Sequence, residues 1–243
     1  REMFMANMSH EIRTPVTAIS GFTDLLLREA AGSNTAESLK IIKSSSDHLL
    51  RIIDDILDFS KLQNNKISLE KVHFSIATVL AEVYAMFETI ARRNNTRLSY
   101  HLSPAVPPAL IGDPYRLRQI MLNLISNAVK FTKNGSVHYE VTGNMRSPEE
   151  VEIVLEVSDT GIGIDESRIN AVFEDFTQAE MSTTRKYGGT GLGLSIVKKL
   201  VELQKGTIDL TSKKNKGTTI ICRIPFPTGD EKQIKKEVVR SVA

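Results

Sequence analysis

The chain has 243 residues, 41% of them hydrophobic, with 31 basic and 29 acidic side chains and a formal net charge of +2. That length admits one large domain or two modest ones with ordinary packed cores, and the balanced charge argues against a nucleic-acid partner, which draws on a cationic excess. No run reaches the ~20 consecutive apolar residues of a membrane-spanning helix, and the N-terminus lacks a signal-peptide pattern, so no membrane contact is expected within this stretch.

From Phe4 onward, apolar residues recur as Met8, Ile12, Val16, Ile19, Phe22 and Leu26, three and four apart, which predicts one long amphipathic helix. After the break 31–35, rich in small and capping residues, Leu39, Ile42, Leu49, Ile53 and Ile56 repeat the spacing and predict a second helix, ended by the polar run 63–66. Two helices leave a wide apolar seam uncovered, so the expectation is a homodimer in which two hairpins form a four-helix bundle. Starting at Arg1 without a Met, the sequence reads as an excised cytoplasmic fragment, with any sensor or membrane segment outside it.

Beyond residue 67 the period changes. Helical patterns at 76–93, 115–131 and 192–203 alternate with short β-branched runs at 98–102, 137–142, 151–158, 207–211 and 218–224, which predicts helices packed on a sheet. Cys222, the single cysteine, falls in the last of these runs, as a buried strand residue of a protein from a reducing compartment would. The expected division is 1–66 for the hairpin, 67–228 for the α/β domain, and 229–243 for a charged tail that reads as a linker or frayed helix. The stretch 174–189, rich in Thr, Ser and Gly and without a clean period, has the character of a lid.

Three groups of residues carry chemistry. On the first helix His10 lies roughly opposite the apolar stripe, where an exposed imidazole is a nitrogen nucleophile near neutral pH. Glu11 is placed to bind the other ring N–H, and Thr14, one turn on, to orient a water. Pro15 removes a helix hydrogen bond and bends the axis there, at a cost of about 3 kcal/mol. The same residues also fit a surface histidine beside a structural kink. On the helix 115–131, Asn123, Asn127 and Lys130 share a face that offers two amides and an ammonium, suited to phosphates and to an oxygen-ligated Mg²⁺; alone, it also fits a solvated polar face. The third group is the pair of glycine segments, Ser158-Asp159-Thr160-Gly161-Ile162-Gly163-Ile164 after a strand and Gly188-Gly189-Thr190-Gly191-Leu192-Gly193-Leu194 before a helix. A carboxylate such as Asp159 can accept from an adenine amino group, and a helix N-terminus favours phosphate. Neither segment has the spacing of a P-loop or a dinucleotide fingerprint.

Ser9-His10-Glu11-Ile12-Arg13-Thr14-Pro15 resembles the H box of dimeric sensor histidine kinases, and the other groups resemble the N, G1 and G2 boxes of the ATPase fold shared by histidine kinases, Hsp90-type chaperones, MutL-type repair proteins and type II topoisomerases. The resemblance implies a two-layer α/β sandwich of the GHKL (Bergerat) type. It implies Mg²⁺ held chiefly by Asn127, phosphates met by Asn123 and Lys130, and adenine read by Asp159 with Thr218 supporting it through water. Phe131, Gly161, Gly163, Gly189, Thr190, Gly191, Leu192 and Gly193 complete the implied ATP-binding set. Residues 172–178 are similar to the F box, with Phe173 and Phe176 packing the lid. Many relatives carry Arg where this chain has Gln178, so Arg185 or Lys186 is expected to supply that phosphate contact. The run 182–187 is similar to that of hybrid kinases, whose chains continue into a receiver domain. The implied activity is ATP- and Mg²⁺-dependent phosphorylation of His10, transfer to an aspartate of a receiver domain, and a possible phospho-aspartate phosphatase activity through Glu11 and Thr14. A degenerate docking module without ATP use is the alternative, and its signature would be missing pocket residues.

Overall fold

The computed structural model describes residues 16–24, 26, 34–63, 67–169, 171–174 and 191–234. The chain divides into two compact units, Arg1–Ile67 and Ser68–Ala243. Among the described residues, no helix is long and apolar enough to cross a membrane.

In the first unit, residues 16–24 form helix α1 and Asn34–Gln63 form α2. They meet through both apolar and polar contacts: Val16, Leu39, Ile53 and Leu62 are buried, Lys43 Nζ donates to Asp24 Oδ2 at 2.8 Å, and Ser20 Oγ donates to Asp47 Oδ1 at 3.2 Å. Only part of each predicted stripe is covered in this way. Ile19, Leu26, Ile42 and Leu49 remain exposed, and Phe22 is 67% exposed. A helix pair can bury one line of its apolar surface against itself, and a stripe this wide presents a second line outward.

The second unit begins with β1 (Val72–Phe74), α3 (Ile76–Arg93), β2 (Arg97–Leu102), β3 (Leu110–Gly112) and α4 (Pro114–Phe131). It continues with β4 (Ser136–Ser147), β5 (Glu150–Asp159), α5 (Gly193–Leu203), β6 (Thr207–Lys213) and β7 (Gly217–Pro227). Five strands form one sheet in the order β2-β4-β5-β7-β6, with β2 and β4 parallel and the other pairs antiparallel. Helices α3, α4 and α5 pack on one face of it. Alternate residues point into that layer, among them Val137, Tyr139, Ile153, Leu155, Cys222 and Ile224, all at most 1% exposed. This is the two-layer α/β sandwich expected from the sequence. Cys222 lies in its core, where burial pushes the thiol up to about 12.

Two strands have no sequence prediction. β1 and β3 are three residues each, too short to show a period, and they pair antiparallel to make a small second sheet beside β7, with Phe74 edge-on to Phe226 at 5.8 Å. The start of the tail lies beside this sheet: Gly229 N–H donates to Ala109 O at 2.8 Å, Asp230 N–H donates to His73 Nδ1 at 3.0 Å, and Glu231–Gln233 form a short 3-10 turn. The polar composition of the segment hid this attachment because main-chain groups make the bonds. Residues 235–243 lie outside the described residues.

Candidate nucleotide-binding site

Asp113 starts the helix that carries the first site residues. Its Oδ1 accepts the Arg116 N–H at 3.0 Å as an N-cap, Pro114 follows at the first helical position, and Oδ2 accepts the Glu70 N–H at 3.2 Å. Leu117, Ile120, Met121, Leu124, Ile125, Ala128 and Val129 bury one side of α4, which leaves Asn123, Asn127 and Lys130 half-buried along one flank. Asn123 Nδ2 donates back to Gln119 O at 3.2 Å, which frees Oδ1 to face α5.

The first residue of α5 meets that flank. A Cβ built on Gly193 would lie 3.2 Å from Asn123 Oδ1 and 3.9 Å from Asn127 Nδ2, so the absence of a side chain at Gly193 brings the helix terminus against the two amides. Leu192 stands at the cap position with no side-chain cap bond, and it is buried together with Ile196 and Val197. The opening amides of α5 and the helix dipole therefore face the same space as the amides of Asn123 and Asn127. Gly191 precedes them at φ +73°, and Lys130 Nζ lies 4.9 Å from the centroid of the Phe131 ring.

Asp159 ends β5 on the helix-covered face of the sheet. Burial raises its pKa above the ordinary carboxylate value, opposed by hydrogen bonds from the backbone N–H groups of Gly161 and Thr218. The Gly161 N–H contact to Oδ1 is 2.8 Å. Thr218 is the register partner of Asp159 across β5 and β7, and Ser212 is the partner of Thr218 across β7 and β6. Cross-strand partners share a face, so the three side chains form one row at the end of the sheet, bordering a cleft of about 330 Å³. The segment after Asp159 docks on the β6–β7 turn: Asn215 N–H donates to Ile162 O at 2.7 Å and Ile164 N–H to Ser212 Oγ at 2.8 Å. Gly217 is required there, since it sits at φ +104° and a Cβ on it would come within 1.8 Å of Asp159 O.

Two groups of the predicted residues are thus assembled: Asn123 and Asn127 with Leu192 and Gly193, and Asp159 with Gly161, Gly163 and Thr218. His10, Glu11, Thr14, Gln178, Phe176, Arg185, Lys186, Gly189 and Thr190 lie outside the described residues. Phe173 is half-buried in a short 3-10 turn that packs on α5, with Lys198 Nζ 5.9 Å from its ring centroid. Sequence reading missed Ser212, whose signal was its strand position opposite Thr218. It also missed Thr132, a fully buried residue at the C-cap of α4 whose Oγ1 has no hydrogen-bond partner and would lie 2.9 Å from a Cβ on Gly161.

The residues present fit a nucleotide with a metal ion. Amide oxygens are hard ligands suited to Mg²⁺, the glycine-lined approach of α5 to α4 leaves backbone amides toward a phosphate chain, and Asp159 offers an acceptor to a base.

Residues 1–65 match the family model of the His Kinase A (phospho-acceptor) domain, and residues 112–228, from the start of α4 to the end of β7, match that of the histidine kinase-, DNA gyrase B-, and HSP90-like ATPase. The chain is 42% identical over 89% of its length to the signal transduction histidine-protein kinase BarA of Escherichia coli, and 41% identical over 95% to the autoinducer 2 sensor kinase/phosphatase LuxQ of Vibrio vulnificus. It is 40% identical over 93% to the hybrid signal transduction histidine kinase A of Dictyostelium discoideum. It spans 24%, 27% and 11% of the lengths of these three relatives. Among solved structures it resembles full-length ShkA in complex with AMPPNP, with a TM-score of 0.78 and 29% identity over 94% of this chain and 47% of that one. With a phospho-acceptor match in the first unit and an ATPase match in the second, in the order of the H, N, G1 and G2 boxes, the chain belongs to the sensor histidine kinase family.

Proposed function

We propose that the chain binds ATP with Mg²⁺ and transfers the γ-phosphoryl group to His10, from which it passes to an aspartate of a receiver domain. The observation that carries this reading is the approach of Gly193 to Asn123 and Asn127, which turns a helix N-terminus toward two amide side chains at a spacing where even a Cβ would stand 3.2 Å from Asn123 Oδ1. Asn123, Lys130 and the amides opening α5 bind the phosphates, joined by Arg185 or Lys186 and by Gly189, Thr190 and Gly191. Asp159 accepts from the adenine amino group. Asn127 would hold the Mg²⁺, which neutralises phosphate charge as the phosphoryl group moves.

In the transfer, the free ring nitrogen of His10 forms a bond to the γ-phosphorus as the bond to the ADP oxygen breaks, and the proton on the other ring nitrogen passes to Glu11. Positioning and charge neutralisation supply most of the rate. Thr14 orients the water that hydrolyses the receiver's phospho-aspartate. The exposed line of Phe22, Ile19 and Leu26 supports the pairing of two copies. The test is incubation of the full chain and of His10→Gln with γ-labelled ATP and Mg²⁺. Acid-labile label on the wild type alone is expected; bound ATP without label refutes the kinase reading in favour of a phosphatase or docking role.

A further inference from the structure

We propose that Ser212 sets the base selectivity of the nucleotide site by fixing the hydroxyl proton of Thr218, so that the Asp159–Thr218 pair presents only hydrogen-bond acceptors to the base. The inference rests on the reading that the base sits at Asp159.

Counting protons gives the assignment. Ser212 Oγ has three partners: Ile164 N–H at 2.8 Å, Gly217 O at 2.9 Å and Thr218 Oγ1 at 2.9 Å. A backbone N–H can only donate and a carbonyl can only accept, so Ser212 accepts from Ile164 and its one proton goes to Gly217. The remaining contact then has a single solution, in which Thr218 donates to Ser212. With its proton turned away along the row, Thr218 has only lone pairs left for the cleft that it shares with Asp159.

A wall made of a carboxylate and a lone-pair hydroxyl suits a base edge that carries hydrogens, such as the 6-amino group of adenine. A 6-oxopurine puts carbonyl lone pairs where the amino hydrogens would stand and meets repulsion at that position, although its neighbouring N1–H can still donate. Ser212 touches no ligand in this account; it is a positioning residue acting through Thr218, and it ties the segment following Asp159 to the same hydroxyl.

The test measures dissociation constants of ATP and ITP, each with Mg²⁺, on the full chain. Ser212→Ala frees the Thr218 hydroxyl to rotate and donate to a carbonyl, so the preference for ATP over ITP should fall about fivefold, the worth of one hydrogen bond. Ser212→Thr keeps the oxygen and should restore it. Losing the Ile164 contact also lowers stability, but a merely structural role would weaken both nucleotides together and leave their ratio unmoved. Thr218→Val, which leaves Ser212 and its backbone partners in place, should lower the ratio too, and adding Ser212→Ala to it should change the ratio no further. An unchanged ratio in Ser212→Ala or in Thr218→Val, or additive effects of the two, overturns the proposal. Asp159→Asn separates it from the underlying reading: if that change leaves ATP affinity and the ratio intact, the base does not sit at Asp159, whereas a collapse of the ratio there with none in Ser212→Ala sinks the role of Ser212 alone.

Discussion

Asp159 stands opposite Thr218 across two antiparallel strands, and its half-buried carboxyl is held by the backbone N–H groups of Thr218 and Gly161. Burial outweighs those two bonds, so its pKa is raised above the ordinary value. As pH rises from the ordinary pKa through the raised one, the unfolded chain loses the Asp159 proton first, and the folded state is penalised for the rest of the climb. The ionised carboxyl therefore destabilises the free protein at neutral pH. Asp159→Asn should raise the melting temperature of the ligand-free chain at pH 7, with the gain vanishing below the ordinary carboxylate pKa, while ATP affinity falls about 10- to 100-fold for a lost charged hydrogen bond. A thermal melt across pH, paired with ATP titration, checks both signs; a variant less stable than wild type at pH 7 would contradict the account.

Gly193 offers a second separation of stability from binding. Gly193 is the first residue of α5 and its backbone is not left-handed, so Gly193→Ala carries no backbone strain and should leave the fold intact. Its new Cβ would stand 3.2 Å from Asn123 Oδ1 and force that amide to shift. ATP affinity should drop roughly three- to tenfold, since displaced site groups lose their geometry. Titration with a non-hydrolysable ATP analogue reads this, and an affinity equal to wild type would show that the two amides do not face the phosphates.

Gly217 should behave in the opposite way. At φ +104°, with Asp159 O 1.8 Å from a built Cβ, Gly217→Ala carries both backbone strain and a main-chain clash, and should cost about 3 kcal/mol of stability. Chemical denaturation of the second unit measures it.

The limits of α3 were legible in the sequence because its apolar period runs from Ile76 to Ala91 and gives way to the basic last turn Arg92-Arg93. The five strands of the main sheet were legible too, although β4 extends to Ser147, past the point where Gly143 and Asn144 interrupt the β-branched run. β3 was invisible: Leu110, Ile111 and Gly112 have no period, and their pairing with β1 depends on residues far away along the chain, as in Phe74↔Leu110 and Val72↔Gly112. Within the candidate site, Asn127 and Asp159 are singled out in the sequence by the motifs that contain them. Ser212 could not, since what singles it out is a three-way hydrogen-bond junction formed only when β6, β7 and the segment after Asp159 come together.

The exposed line on α1 bears on assembly. Phe22 is 67% exposed in the single chain, next to buried Val16 and Thr23 that already pack the hairpin. A phenyl ring buried on association contributes about 2 kcal/mol per copy, and a carboxylate in its place would be forced to lose its water or keep the copies apart. In the proposed pairing of two copies through this line, Phe22→Glu should therefore favour the monomer, read by sedimentation or light scattering, with the melting of the second unit and its ATP affinity unchanged because Phe22 belongs to the first unit. Phe22→Leu, which keeps the apolar surface, should associate as the wild type does. A Phe22→Glu chain that sediments as a dimer would mean that copies associate through some other surface.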